Sequence, residues 1–300
     1  MQKKIMKWGL GIGLAIIVVA GGLVAYKSYG FKREIEALLN QQMQKYQQSF
    51  ASIGVMEISP TECKGLVYIE CKNAKMKMQT SEGVVEIKNI TAKLDDFARN
   101  EIQIVGSAEI QTQINREFAQ YSKLISPVAV HTRWKINKQT SQDYQMDAKW
   151  QLQAPDFALE FGGVYQGKLE LPNGKNFWAY VMTSDGQVGD VMRLTMGLEN
   201  TGEFDQVLYD VVKEQKGYRN ISRNEYNQLI PTLALVLASS VTQDSQIQKA
   251  IVQFANLLVG KQKEISISLD KKEQGQALDW SHIDTKFLHL LKQNYHINIK

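Results

Sequence analysis

From Val55 to about Met196, apolar and polar residues alternate along the chain. Period two with polar alternates predicts antiparallel strands that bury one face and wet the other. AKMKMQT sets Met76 and Met78 against Lys75 and Lys77, and VVEIKNITAKL puts Val85 and Ile87 on one side. In GLVYIEC, Leu66 and Tyr68 point one way and Val67, Ile69 and Cys71 the other. IQIVGSAEIQTQI carries Ile102, Ile104, Ala108, Ile110, Thr112 and Ile114 in one phase across Gly106. HTRWKIN, YQMDAKWQLQ, FALEFGGVYQGKLEL and NFWAYVMTSDG continue in the same style, after a short helical interruption at Arg116–Leu124. Ser81-Glu82-Gly83, Pro155-Asp156 and Pro172-Asn173-Gly174 supply turns between them. About eight strands in succession, without long helices between them, predict a meander, a strongly curved sheet or a sandwich.

On either side of this region the spacing becomes three and four. Phe31, Ile35, Leu38, Leu39, Met43, Tyr46 and Phe50 predict a helix from Phe31 to Phe50, too short for a coiled-coil stalk. Phe204, Val207, Leu208, Val211 and Val212 form a second stripe. Tyr226, Leu229, Ile230, Leu233 and Leu237 form a third, opened by Ser222 with Glu225 three residues on, a capping-box pattern. Pro231 inside that stripe predicts a break or a late start. Ile247, Ile251, Phe254, Leu257 and Leu258 form a fourth, stopped by Gly260. EISISLD alternates again, His282 to Gln293 returns to helix, and Tyr295 to Ile299 closes as a short strand.

Ahead of all this, Trp8 to Tyr26 is a 19-residue stretch without charge. As a helix it would be roughly 29 Å long, close to a bilayer's hydrocarbon thickness. Lys3, Lys4 and Lys7 precede it, so the bias of basic residues places the N-terminus in the cytoplasm and the rest across the membrane. The alternative is a cleaved signal peptide with Ala20 and Gly22 as the small-residue site, although Leu23, Val24 and Ala25 prolong the apolar run. Gly9 and Gly13 form a GxxxG through which two such helices could pair as a homodimer.

Composition adds mainly exclusions. Hydrophobic residues make up 44% and charged residues 22%, with Gly 21 and Pro 5, so wholesale disorder, collagen and a polytopic membrane protein are excluded. A net charge of +4 over 300 residues is too weak to argue for nucleic acid. No GxSxG, HExxH or phosphate-loop pattern is present in the exported region, and the two cysteines and four histidines make no metal-ligand spacing. We therefore expect no catalytic set, no metal and no cofactor. Cys63 and Cys71, on the exported side, are expected to bond to each other through a turn at Lys64-Gly65, with two separate buried thiols as the alternative. LIPTLALVLASSV and VQFANLLVG carry an apolar surplus. Ordinary core is the plain explanation, and an apolar groove for a lipid-like ligand, lined by Leu229, Leu233, Leu237, Phe254, Leu257 and Leu258, is the functional one.

The lysine-headed apolar run, the strand succession, and the ending through Leu278, Asp279, Leu288, Leu290, Leu291 and Tyr295–Ile299 together resemble the membrane-anchored periplasmic proteins of the YdgA and AsmA-like group. The likeness is of layout across most of the chain, and the Cys63/Cys71 pair departs from it. It implies a single-pass protein of the bacterial inner membrane with its C-terminal domain in the periplasm, engaged in lipid handling or envelope maintenance. The expected class is α+β: an N-terminal transmembrane helix, then a long antiparallel, curved sheet with C-terminal helices packed on it. The expected divisions are a tail at 1–7, the anchor at 8–26, a connecting helix at 27–52, a β-rich region at 53–200 and a helical region at 201–300. The function expected is non-enzymatic binding of an apolar ligand or an envelope protein, or alternatively a structural subunit of an envelope complex.

Overall fold

The computed structural model describes residues 29–51, 54–65, 69–81, 83–97, 100–114, 126–140, 143–168, 190–214, 217–241, 244–276, 278 and 285–300. They divide into two compact units, one reaching to Trp150 together with residues 166–168, the other comprising Gln151–Tyr165 and Asp190–Lys300.

The first unit opens with helix α1 (Tyr29–Phe50). Strands β1 (Val55–Ile58), β2 (Thr61–Lys64), β3 (Glu70–Thr80), β4 (Gly83–Phe97), β5 (Glu101–Ile114), β6 (Val128–Lys138) and β7 (Asp143–Gln153) follow. They lie in the order β1-β3-β4-β5-β6-β7, with β2 also on β3. β1 and β2 are one edge strand interrupted at Ser59-Pro60, and an edge is where a proline without an N–H costs least. Alternation sends Met76, Met78, Val85, Ile87, Ile102, Ile104, Ala108 and Ile110 to one buried face, with Gly106 in phase among them. The other face carries polar ladders: Glu86 pairs with Lys75 and Lys88, Lys88 Nζ donates to Gln111 at 2.9 Å, and Thr91 meets Ser107 at 2.7 Å. Hydrogen bonds from Lys75 and then Lys88 hold the Glu86 carboxyl below its usual range.

Cys63 and Cys71 form a disulfide. They stand directly opposite each other on β2 and β3, with Cα atoms 4.0 Å apart, and Gly65 turns the chain just after β2 with φ at 102°. The same row runs on across the sheet through Ala92, Gly106 and Thr132, a lane of small side chains on the buried face.

In the second unit β8 (Phe157–Lys168, apart from its last three residues), β9 (Asp190–Asn200), β10 (Glu264–Lys271) and β11 (Tyr295–Ile299) lie in that order. Between β9 and β10 come helices α2 (Phe204–Glu214), α3 (Arg223–Val241) and α4 (Ser245–Leu258), and α5 (Thr285–Asn294) leads into β11. Tyr209, Tyr226 and Val259 form the centre of the helical layer, with Val212, Ile221 and Ile230 against them. The Arg223 guanidinium lies 5.1 Å from the Tyr209 ring and 5.5 Å from the Tyr226 ring, and it pairs with Asp205. Leu291 and Tyr295 make a second cluster with Leu269, Leu278 and Ile297. The Tyr295 hydroxyl donates to Val191 O at 2.6 Å. Burial, then the nearby Asp190 charge, pushes that phenol up to about 12.

The expected fold class needs correction. The described chain is mainly antiparallel sheet in sequential order, and among the described residues no helix is long and apolar enough to cross a membrane. Helix α1 carries Lys32, Arg33, Glu34, Glu36 and Lys45, and α3 has only a short apolar core. The run Trp8–Tyr26, with Gly9 and Gly13, lies outside the described residues, as do Arg116–Leu124 and His282. The expectation of C-terminal helices laid on the sheet holds in part. α4 contacts β10 and β11, whereas α3 packs on α4.

Candidate functional site

Helix α3 begins as its sequence requires. Ser222 N donates to Glu225 Oε2 at 2.7 Å, and Glu225 N donates to Ser222 Oγ at 3.2 Å, which completes a capping box. Hydrogen bonds from Ser222 N and then Ser222 Oγ hold the Glu225 carboxyl below its usual range. The break expected at Pro231 does not occur, and the helix runs through to Val241. A proline leaves the carbonyl four residues earlier without its helical donor. Here that carbonyl belongs to Asn227, and the Lys261 ammonium donates to it at 3.1 Å. Lys261 is placed by the end of α4, where Gly260 takes φ at 72°, its N–H bonds Leu257 O and the Lys261 N–H bonds Asn256 O. The N-terminus of α4 is capped by Asp244, which accepts from Gln246 N at 2.9 Å and Ile247 N at 3.1 Å and pairs with Lys292.

With both helices fixed in this way, the first turns of α3 bury Tyr226, whose hydroxyl donates to Leu258 O at 3.3 Å. Further along, the buried side narrows to Ala238. The large side chains point out: Leu233 is 50% exposed, Leu235 54%, Val236 63% and Leu237 57%. Leu229, Leu233, Val236 and Leu237 follow the spacing i, i+4, i+7, i+8, the stripe that ordinarily faces a core. Phe254 on α4 is exposed as well. The polar residues of this stretch do little to wet it. Thr232 Oγ1 donates to Gln228 O at 2.7 Å, Ser239 Oγ to Leu235 O at 2.8 Å and Ser240 Oγ to Leu237 O at 2.8 Å, so all three hydroxyls turn back onto the helix. From Tyr226 to Gln243 the sequence holds no charged residue.

At the start of α3 the stripe runs into an open groove of about 850 Å³, formed by the α2–α3 connection and the first turns of α3. Tyr218, Ile221 and Leu229 give it apolar walls, and Arg219, Asn220 and Gln228 give it donors. Glu225 and Thr232 also line it, each committed to the bonds described above.

The six residues expected to line an apolar groove thus take different positions. Leu257 is fully buried in the core, Leu229 and Leu258 are half-buried, and Leu233, Leu237 and Phe254 are exposed. Of these, Leu229 lines the open groove. Reasoning from the sequence missed the groove's polar side, because Arg219 and Asn220 lie in a connection without periodicity. It also missed Leu235, which falls off the core-type stripe, and Val236, which completes it. Among the described residues no cluster of three or more His, Cys, Asp or Glu is placed to hold a metal ion. The exposed His289 meets Gln293 at 2.9 Å. No protein-family model matches the chain, and no curated protein matches it.

Proposed function

We propose that this is an extracytoplasmic binding protein whose folded part takes an apolar ligand or an apolar patch of an envelope partner on the outward side of α3. The observation that carries this reading is the row Leu229, Leu233, Val236 and Leu237, which presents a core-type stripe to solvent. Contiguous apolar surface of this kind is retained where something binds it. The Cys63–Cys71 disulfide and the uncharged run Trp8–Tyr26 support a location outside the cytoplasm, since such bonds persist in oxidising compartments. The resemblance of layout to the YdgA and AsmA-like group favours the bacterial envelope.

Two measurements test it. Native mass spectrometry of the full chain, purified with and without a Leu233→Asp, Val236→Asp double substitution, should find an apolar molecule or protein bound to the first and absent from the second. An unchanged bound species in the double variant would remove α3 from the reading. A reporter fused after Lys300 that works only in the cytoplasm should be silent, and activity there would overturn the location.

A further inference from the structure

We infer that the outward side of α3 lies in the interface of a lipid bilayer and that the groove beside it seats an anionic lipid headgroup. This rests on the binding role proposed above and names its partner. Three observations fit the surface of a bilayer rather than a single enclosed ligand. The exposed row runs along the outside of a helix, a convex surface that does not enclose a ligand but can sink into headgroups. Its apolar core, Leu229–Val241, is 13 residues long, about 20 Å as a helix and too short to cross a bilayer. The hydroxyls of Thr232, Ser239 and Ser240 are already satisfied by the helix's own carbonyls, so immersion leaves them no unmet donor.

The charge follows from the groove. Arg219 is exposed, lines the groove where the apolar row begins, and has no acidic partner among the described residues. The neighbouring carboxylate, Glu225, is occupied by Ser222 N and Oγ. Asn220 and Gln228 add amide donors. A guanidinium with amide donors beside it recognises a phosphate-type headgroup, and the lipid's chains then continue along Leu229, Leu233 and Val236.

The run Trp8–Tyr26 would itself associate with vesicles, so the readout must be local to α3. The full-length chain carrying Val236→Cys labelled with the fluorophore NBD is reconstituted into phosphatidylcholine vesicles with or without phosphatidylglycerol. The native cysteines are bonded to each other, so the label goes to one place. In anionic vesicles the emission should shift to the blue and be quenched by doxyl-labelled lipid. The quenched fraction should fall with salt. Arg219→Gln should lower the docked-to-free ratio about fivefold, as removal of one basic group near an anionic surface does. A Gln206→Cys label on α2 should stay in water throughout. A label at Val236 that stays in water in every vesicle overturns the inference. Equal quenching in neutral and anionic vesicles overturns its headgroup part. Binding of the apolar dye 1-N-phenylnaphthylamine, lost on Val236→Asp, tells the two proposals apart. Dye binding without vesicle docking leaves the apolar-binding reading standing and removes the bilayer, and loss of both removes both.

Discussion

Helices α1 and α3 are of similar length, 22 and 19 residues, and do opposite work. α1 buries Leu39 and Met43 and turns polar side chains to the sheet edge beside them. Glu36 Oε2 accepts from Cys63 N at 3.2 Å, Asn40 Oδ1 accepts from Thr61 N at 2.9 Å while its Nδ2 donates to Thr61 O, and Gln47 Nε2 donates to Met56 O at 2.7 Å. Glu36, Asn40 and Gln47, at i, i+4 and i+11, thus lie on the side that carries Met43 at i+7, and their side chains replace the neighbouring strand that the β1–β2 edge lacks. An unprotected edge invites pairing with other chains, and this one is closed. α3 instead hides an alanine and offers leucine and valine to its surroundings. One helix ends a surface and the other leaves one open. A count of apolar residues does not tell them apart; which side each helix buries does.

The largest test of this contrast is truncation at matched chemistry. Leu39→Ala should destabilise the protein by about 2–5 kcal/mol, the range for a leucine removed from a packed site. Leu237→Ala should stay within about 0.5 kcal/mol, as for an exposed position. Chemical denaturation of both variants reads the difference directly. Equal losses would mean that α3 is covered.

Next is the disulfide beside the guarded edge. Cys63 and Cys71 close a loop of about nine residues, for which the loop-entropy relation gives about 2–3 kcal/mol. The Cys63→Ser, Cys71→Ser variant should unfold at correspondingly lower denaturant yet still fold, because the unit keeps its buried sheet face. Failure to fold would give the bridge a larger part in holding the edge than this contrast assigns it.

These first elements were legible because their causes are local. Period two placed Met76, Met78, Val85 and Ile87 in the core, Ser222 and Glu225 announced the start of α3, and the two cysteines could pair across a turn. What escaped depends on distant groups. Pro231 sits in an unbroken helix because Lys261, thirty residues on, takes the place of the missing donor. The role of α1 could not be read from its apolar stripe, since Glu36, Asn40 and Gln47 matter through the backbone of β1 and β2. At Asn73 the alternation slips, because Asn89 adopts φ of 54° in a bulge on β4. Asn73 itself turns inward to donate to Ser59 O and Thr61 Oγ1. At the candidate site the leucines were legible as apolar, and their exposure was not. Periodicity defines a stripe without saying whether a layer exists to cover it.

A smaller loss should follow from Asn40→Leu, which keeps the volume and removes both bonds to Thr61. Thr61 is buried, so its N–H and C=O would be left unmet, at a cost of about 1–3 kcal/mol. The variant should also self-associate more as concentration rises, measured by analytical ultracentrifugation, because the edge is opened. An unchanged sedimentation profile would show that the edge needs no guard.

The scaffold that holds α3 can be loosened by pH. The hydrogen bond from Lys292 is the main cause holding the Asp244 carboxyl below its usual range, joined by the N–H groups of Ile247 and Gln246. A carboxyl depressed in the folded state contributes stability above its unfolded value, and that stability is lost as pH falls through the usual carboxylate range to the folded value. Melting temperature should therefore drop across this acid window, and the drop should be shallower in Asp244→Asn, which keeps an N-cap acceptor without the charge. Identical acid profiles would take Asp244 out of the account.

The smallest effect on stability should carry the largest effect on binding. Val236→Gln and Leu237→Gln replace exposed apolar side chains on a helix with a residue of good helix propensity, so the melting temperature should barely move. Each removes part of the row that gives α3 its apolar outer side, so dye and vesicle binding should fall together while the buried Leu39 side of α1 is untouched. The matching change on α1, Gln44→Leu, adds an exposed apolar residue outside any row and should create no binding. If Gln44→Leu raised dye binding as much as Val236→Gln lowered it, scattered hydrophobicity would explain the signal, and the ordered stripe on α3 would have no special part in it.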